Sequence, residues 1–257
     1  MDLAWLVRRP IAHRGLHDAG RGVIENSLAA ARAAVAKNYA VECDVLLSAD
    51  GEAIVFHDDR LERLTSATGR VADRTRAALA DILLAGSLET IPSLPDLLTA
   101  IAGRVPLVIE LKSDFPHLPD DRLVARVAAV LAGYTGPVAT KSFDPDVVAA
   151  ARRLMPTIPH GIVAESCDEP EWRARFTAFD RFRLRQLLHF GRSRFDFVSY
   201  RVADLPTLGP TVARRIFGLP IMTWTVRTPA DRAHAAAHAD QIVFEGFDPD
   251  TTPLRLG

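Results

Sequence analysis

Two carboxylates and a histidine lie at the two ends of one predicted hairpin. Glu42 and Asp44 stand two residues apart, so the period of two in a strand places both on the same face. His57 ends the next apolar run, and Asp50-Gly51 between the two runs is a strong signal for a tight hairpin. With Asp50-Gly51 as a two-residue loop, Asp44 would pair with His57. We therefore expect three groups that can bind a metal or move a proton to meet at the open end of this hairpin.

Further charged residues end two other apolar segments. Glu110 and Lys112 follow the apolar residues 106–109 and share a face, and His13 and Arg14 end a short strand at residues 11–15. Charges at the end of a buried strand are costly unless they are paired or bound to a cation. Carboxylate oxygens alone suit a hard cation such as Mg²⁺ or Ca²⁺ better than zinc, which prefers nitrogen and sulfur.

These residue types together favour chemistry on a phosphate ester. Arg14 and Lys112 beside a cation suit an anionic group, above all a phosphate. His13 and His57 can supply a base and an acid for proton transfer. A single histidine at a strand end is more often structural, and Glu110 with Lys112 could be an ordinary ion pair. All of these residues are expected at one rim of the fold, and this favours phosphodiester cleavage over carbonyl chemistry.

Strands and helices alternate along the chain. We expect strands near residues 11–15, 39–45, 105–112, 137–142, 158–163, 195–200, 220–226 and 241–244. We expect helices near residues 27–37, 94–102, 119–132, 144–155, 169–190, 207–217 and 229–239. Residues 60–90, with a helix near 79–83, form an excursion from this pattern. About eight parallel strands joined by helices predict an α/β fold, the closed (β/α)₈ barrel, whose functional site lies at the carboxyl ends of the strands.

The composition limits the possible binding partners and the cellular compartment of the protein. The 257 residues carry 31 basic and 32 acidic side chains, a net charge of -1, which argues against nucleic acid as a partner. Two cysteines cannot build a disulfide framework. No apolar run is long enough to span a bilayer. We therefore expect a cytoplasmic protein that acts on a small molecule without stable membrane insertion, and the oligomeric state stays open.

Seven short motifs occur in a fixed order along nearly the whole chain. They are His13-Arg14-Gly15, Glu25-Asn26-Ser27, Glu42-Cys43-Asp44-Val45, His57-Asp58, Glu110-Leu111-Lys112, Ser142-Phe143-Asp144 and Trp224-Thr225-Val226. Singly each motif is weak, but the ordered set is specific. In this set the chain resembles the glycerophosphodiester phosphodiesterases.

The resemblance implies a fold and an activity. The fold is a TIM barrel in which residues 1–257 form a single domain with a small insertion after the second strand, roughly at residues 58–90. The activity is that of a metal-dependent phosphoric diester hydrolase, which releases glycerol 3-phosphate and an alcohol in lipid and glycerol metabolism. The implied roles are Glu42, Asp44 and Glu110 for a divalent cation (Mg²⁺ or Ca²⁺), His13 and His57 for acid-base catalysis, Arg14 and Lys112 for the phosphate, Asn26 at or near the site, and Trp224 for the wall of the substrate pocket.

Three positions depart from the pattern of this family. Ile24 stands where a proline is usual, Arg227 where an asparagine is usual, and Glu245-Gly246 where Thr-Asp is usual. None of them is an implied metal ligand or catalytic histidine. They therefore bear on the leaving group and the substrate rather than on the class of reaction.

Two other functions are compatible with the same residues. A lysophospholipase D or a sphingomyelinase D-like enzyme would act on lipid phosphodiesters, and it predicts an exposed apolar lip. The apolar residues Trp5, Leu6 and Val7 are the sequence feature that hints at such a lip. A non-catalytic protein that binds glycerophosphodiesters is the other alternative.

Overall fold

A computed structural model describes residues 3–115 and 120–251 of the chain. The chain falls into two compact units. The N-terminal unit comprises residues 11–112 and 120–139, and the C-terminal unit comprises residues 1–10, 113–119 and 140–257. The single domain expected from the sequence stays a prediction. No described helix is long and apolar enough to cross a bilayer.

One long strand organises the N-terminal unit. The elements of this unit are β1 (Ile11–Ala12), α1 (Leu28–Ala36), β2 (Ala40–Leu47), β3 (Ala53–Val55), α2 (Arg76–Ala80), α3 (Leu94–Ile101), β4 (Leu107–Leu111) and α4 (Arg122–Leu131). β2 pairs in parallel with β1 and with β4, and it pairs in antiparallel with β3. All five residues of β4 are buried. β2 therefore carries its side chains into the interior between two parallel neighbours.

The C-terminal unit contains a run of parallel strands. Its elements are β5 (Val138–Ser142), which begins two residues before the boundary of the unit, α5 (Pro145–Leu154), β6 (His160–Ala164), α6 (Pro170–Arg175), α7 (Ala178–Arg185), α8 (Phe190–Ser193), β7 (Phe197–Arg201), α9 (Leu208–Arg215), β8 (Ile221–Val226), α10 (Pro229–His238) and β9 (Gln241–Phe244). Each strand pairs in parallel with the next. Each pair is joined through at least one helix, as the alternation in the sequence predicts.

Most of the expected elements are present, with ends that differ by at most three residues. Position 119, the expected start of one helix, lies outside the described residues. The long helix expected over residues 169–190 is wrong, because three short helices replace it. Phe176 is extended, and the side chain of Thr177 accepts a hydrogen bond from the Asp180 N–H, so a new helix begins there. Leu187 has a φ of 58°, which ends regular helix before α8.

The predicted pairing within the hairpin is also wrong by one residue. Leu47 pairs with Ala53, so residues 49–51 form a three-residue loop rather than a two-residue one. Gly51 has a φ of 81°, which suits the left-handed position of a three-residue hairpin loop. Asp44 consequently faces Phe56, whose N–H donates to the Asp44 carbonyl oxygen at 3.1 Å. The Asp-Gly signal located the hairpin correctly but did not fix the length of the loop.

Gly15 lies where β1 leads towards α1. Its φ of 80° favours glycine, and an added Cβ would lie 2.8 Å from Ala30 of α1. Its N–H donates to the carbonyl oxygen of Glu42 at 3.1 Å. A side chain at this position would therefore push α1 away from the loop that carries His13 and Arg14.

Residues 58–90 leave the parallel strands, as expected for an excursion. Isolated bridges join Arg60 to Arg70, Thr65 to Leu84 and Leu83 to Thr90. The segment has an apolar cluster of its own, which comprises the buried residues Ile24, Ile54, Phe56, Leu61, Val71, Leu79, Leu84 and Ile91. This cluster fixes the segment against the hairpin, since Ile54 and Phe56 belong to it.

Ser93 provides the first testable prediction, because it caps α3 with both its side chain and its backbone. Its hydroxyl donates to Asp96 at 2.5 Å, and its N–H donates to the same carboxylate at 3.0 Å. Ser93→Ala should lower the free energy of unfolding by about 0.5–2 kcal/mol in urea denaturation. Ser66→Ala, at an exposed loop serine, is the control and should change it by less than about 0.5 kcal/mol. Equal stabilities of the two variants would contradict the capping role.

Candidate active site

Three buried carboxylates meet in the N-terminal unit. Glu42 and Asp44 come from β2 and Glu110 from β4, and Asp44 is in register with Glu110. One oxygen from each residue lies within 4.8 Å of the others. The three residues are 0, 2 and 5% exposed. The alternation of the strand directs Cys43 away from this group, where it is buried and forms no disulfide.

The cluster fits a hard divalent cation. Two oxygens that each lie 2.3–2.6 Å from a Ca²⁺ ion can be at most about 5 Å apart, and the observed spread is 4.8 Å. All three donors are carboxylates, which suit Mg²⁺ or Ca²⁺ better than zinc. The sequence-based ligand set of Glu42, Asp44 and Glu110 is therefore brought together as one group.

Two cationic side chains balance the charge of the cluster. The Lys112 ammonium lies 2.9 Å from Asp44 and 2.7 Å from Glu110, and the Arg14 Nε lies 3.4 Å from Asp44. Burial alone would raise the pKa of Asp44, but the charges of Lys112 and Arg14 and the hydrogen bond from Asn26 hold that pKa far below its usual range. Burial would lower the pKa of Lys112, yet Asp44 and Glu110 raise it above its ordinary value. Both groups are therefore charged at neutral pH.

Asn26 holds the Asp44 carboxylate in place. Its amide donates to Asp44 Oδ2 at 3.0 Å, and its side-chain oxygen accepts from the Asp44 N–H at 3.2 Å. Asn26 and Arg14 both adopt left-handed backbone conformations, with φ of 58° and 56°. The Asn26 N–H donates to the Arg14 carbonyl oxygen, and the Arg14 N–H donates to Glu42 Oε2 at 3.0 Å. Two unusual backbone conformations thus form a single hydrogen-bonded network around Glu42 and Asp44.

A chain of ion pairs leads from His57 back to Arg14. His57 Nδ1 lies 2.5 Å from Asp58 Oδ1, and Arg63 donates to the other oxygen of Asp58 at 2.5 Å. Arg63 also donates to both oxygens of Glu25, which accepts from Arg14 at 2.6 Å. Arg63 was not predicted from the sequence as a residue of this network. No local pattern marks it, because only the path of residues 58–90 brings it back to Glu25.

The surroundings of His57 fix its protonation. Burial lowers its pKa below the ordinary value, and the charges of Lys112 and Arg14 act in the same direction against the opposing effect of Asp44. Burial would raise the pKa of Asp58, but the hydrogen bonds from Arg63 and His57 lower it. An ionised Asp58 beside Nδ1 assigns the proton of the neutral imidazole to Nδ1. Nε2 is then free to accept a proton.

His13 is the buried residue directly after β1, 7% exposed, and it precedes Arg14 in the loop that ends at Gly15. His13 therefore lies on the same loop as Arg14, whose N–H donates to Glu42.

Trp224 belongs to an aromatic group in the C-terminal unit. Its indole N–H donates to the carbonyl oxygen of Ser199 at 3.1 Å, and the edge of its ring meets Phe143 at 5.6 Å between centroids. Phe143 lies 5.9 Å from Trp172, whose indole donates to Glu165 at 2.5 Å. The role of Trp224 as a wall of the substrate pocket stays a prediction.

Two of the departures from the family pattern contact each other. The Arg227 Nε lies 2.6 Å from Glu245 Oε1, so the two charged replacements form an ion pair. Ile24 is 6% exposed and packs in the apolar cluster of residues 58–90. The three departures are thus accommodated locally, by one ion pair and one apolar contact.

Acid titration tests the charge balance around Asp44. Because its pKa is lower in the folded than in the unfolded chain, Asp44 contributes stability that is fully present above the unfolded value of about 4 and is lost as the pH falls below it. In the presence of a chelator, the free energy of unfolding of the wild type should decrease as the pH is lowered from 5 to about 2. Asp44→Asn should be less stable at pH 7 and should show a shallower fall. Asp81→Asn, at an exposed carboxylate, should keep the wild-type slope, and parallel slopes for both variants would refute the assignment.

The chain is similar to known proteins over most of its length. The model of the glycerophosphoryl diester phosphodiesterase family matches residues 13–244. The Bacillus subtilis protein YhdW, provisionally named as a glycerophosphodiester phosphodiesterase, is 30% identical over 237 residues, which cover 88% of this chain and 89% of YhdW.

Solved structures agree in fold. A phosphodiesterase from Oleispira antarctica, solved with its product sn-glycerol-3-phosphate, is 22% identical with a TM-score of 0.74 and covers 93% of both chains. A Silicibacter pomeroyi structure, provisionally named as a glycerophosphoryl diester phosphodiesterase, is 28% identical with a TM-score of 0.74 and covers 92% of this chain and 89% of its own. The fold is the (β/α)₈ TIM barrel expected from the sequence. The chain belongs to the glycerophosphoryl diester phosphodiesterase family, and the activity that accompanies this membership is the hydrolysis of glycerophosphodiesters.

Proposed function

We propose that the protein cleaves glycerophosphodiesters to glycerol 3-phosphate and an alcohol with the help of a divalent cation. The observation that carries this proposal is the group of three buried carboxylate oxygens within 4.8 Å of one another, with Lys112 within 2.9 Å of two of the three residues. The family match supports the reaction class, and the Oleispira antarctica phosphodiesterase was solved with this product.

Glu42, Asp44 and Glu110 would hold the cation, which we propose to be Mg²⁺ or Ca²⁺. When bound, such an ion withdraws charge from a phosphoryl oxygen and favours the transition state of phosphoryl transfer. Asn26 keeps Asp44 oriented through two hydrogen bonds, so the ligand set is preorganised before any ion arrives.

Arg14 and Lys112 are proposed to bind the phosphate. Their side chains are 17 and 19% exposed, so both reach solvent from a largely buried setting. Each is already held by Asp44, which keeps the guanidinium and the ammonium in fixed positions for an incoming anion. We propose that Trp224 contacts the substrate, with Phe143 against its ring.

His57 is proposed as the general base and His13 as the general acid. His57 is neutral at neutral pH, and Asp58 directs its Nδ1 so that Nε2 can take a proton from the nucleophile, either water or a neighbouring glycerol hydroxyl. His13 would then protonate the departing alkoxide. The contact of Asp58 with Nδ1 supports His57 as the base.

The N-terminal apolar residues do not support the alternative of an enzyme that acts on lipid phosphodiesters. Leu6 is 2% exposed within a 3₁₀ helix at Ala4–Val7, so this segment is not an exposed apolar lip. The sn-glycerol-3-phosphate bound to the Oleispira antarctica phosphodiesterase supports a glycerophosphodiester as the proposed substrate, in lipid and glycerol metabolism. A cytoplasmic location is proposed because Cys43 and Cys167 are both free and buried.

Removal of the metal should abolish turnover and lower stability. Dialysis against a chelator should remove glycerol 3-phosphate release from choline, ethanolamine, glycerol and inositol diesters, and Mg²⁺ or Ca²⁺ should restore it. At a cation concentration of 100 Kd, binding should stabilise the wild type by about 2.7 kcal/mol. Glu110→Gln should lose most of this gain in thermal unfolding, whereas Glu171→Gln on α6 should keep it. Metal-independent turnover would disprove the ligand assignment.

Replacement of either histidine should slow the chemical step. His13→Ala and His57→Ala should each lower kcat by about 10²–10⁴ with a smaller change in KM, because each removes a positioned acid or base. His238→Ala, on α10, serves as the control and should leave both constants unchanged. Near-normal turnover in the His13 and His57 variants would show that neither histidine moves a proton.

A further inference from the structure

An exposed apolar surface lies on the helices of the C-terminal unit. Phe182, Leu188, Phe190, Leu208 and Phe217, which we call the apolar surface, are 47, 57, 40, 71 and 63% exposed. All five line one open cavity of about 420 Å³. Phe190 stacks on Phe217 with ring centroids 6.1 Å apart. The residues therefore form one continuous surface rather than scattered contacts with water.

This concentration of exposed apolar residues is unusual for the chain. Of the ten large hydrophobic residues that are exposed in the described part of the chain, seven lie within residues 178–217. Single exposed hydrophobic residues are normal in soluble proteins, but a continuous patch marks an interaction surface or a membrane contact.

The charge of the same segment points to the kind of partner. Residues 178–217 contain eight arginines and three aspartates with no lysine or glutamate, whereas the whole chain has a net charge of -1. The guanidinium of Arg183 lies 5.8 Å from the ring of Phe179, and that of Arg185 lies 6.0 Å from the ring of Phe182. Cations and apolar side chains thus alternate along α7.

Several of these arginines are available to a partner. Within residues 3–115 and 120–251, the exposed side chains of Arg183, Arg194 and Arg215 form no ion pair. The other five arginines of the segment are paired with carboxylates; they are Arg181, Arg185, Arg192, Arg201 and Arg214. Three unneutralised guanidinium groups in the segment that forms an apolar surface suit an anionic partner with an apolar interior.

We propose that the apolar surface docks the protein on an anionic lipid bilayer. The phenylalanine and leucine side chains would enter the boundary between headgroups and acyl chains, while the arginines bind headgroup phosphates. A symmetric contact with a second copy of this chain would bring the same arginines together, and like charges oppose such a contact. Charge complementarity therefore favours the lipid surface. The proposal concerns where the enzyme acts and is independent of its reaction.

Co-sedimentation with vesicles tests the docking surface. The wild type should bind vesicles of 70% phosphatidylcholine and 30% phosphatidylglycerol, and it should not bind vesicles of phosphatidylcholine alone. Binding should weaken as salt is added. Arg183→Ser with Arg215→Ser should lower the partition coefficient roughly 25-fold, at about five-fold for each charge. Leu208→Ser with Phe217→Ser should lower it at least about ten-fold.

Matched controls separate docking from folding and from catalysis. Leu88→Ser, at a leucine that is 96% exposed, and Arg122→Ser, at an arginine whose side chain is 79% exposed, should bind like the wild type. All variants should keep the wild-type melting temperature and the wild-type turnover of a soluble diester. Equal binding to both vesicle types, no binding by the wild type, or unchanged binding by the surface variants would overturn the proposal. A wild-type dimer in sedimentation equilibrium that Leu208→Ser with Phe217→Ser dissociates would also overturn it, in favour of a second copy.

Discussion

The structure of the N-terminal unit depends on three buried carboxylates that share one small volume. Glu42, Asp44 and Glu110 are almost inaccessible to water, and their mutual repulsion would oppose folding without compensating charge. Lys112 and Arg14 supply two positive charges at 2.9 and 3.4 Å from Asp44. Two cations against three carboxylates still leave one negative charge, which a bound divalent ion would reverse to a small positive excess. That excess would favour an anionic substrate.

The local backbone explains how these groups are held. The alternation of β2 directs two carboxylates to one side, and the register with β4 adds the third. Gly15 lets α1 approach the loop of His13 and Arg14. The ion pairs from His57 through Asp58 and Arg63 to Glu25 and on to Arg14 then connect His57 to the same loop. Residues 58–90 therefore help to hold the side chains of the site in position.

The sequence alone was sufficient to predict the pairs of site residues that follow from the local periodicity of a strand. The period of two placed Glu42 with Asp44, and Glu110 with Lys112, on shared strand faces. It did not give the hairpin register, because the Asp-Gly signal fits a two- or three-residue loop equally well. It did not find Arg63 or the apolar surface, because both depend on contacts between residues distant along the chain. The break of the helix near Thr177 was missed because the apolar spacing continued across the cap.

The central claim is that the carboxylate cluster is the metal site of a phosphodiesterase. Anomalous diffraction from crystals soaked in Mn²⁺, a hard-cation analogue, tests it most directly. The account predicts an anomalous peak about 2–2.6 Å from oxygens of Glu42, Asp44 and Glu110, with the peak lost in Glu110→Gln. A strong peak elsewhere, or no peak at these carboxylates in protein that turns over its substrate, would contradict it.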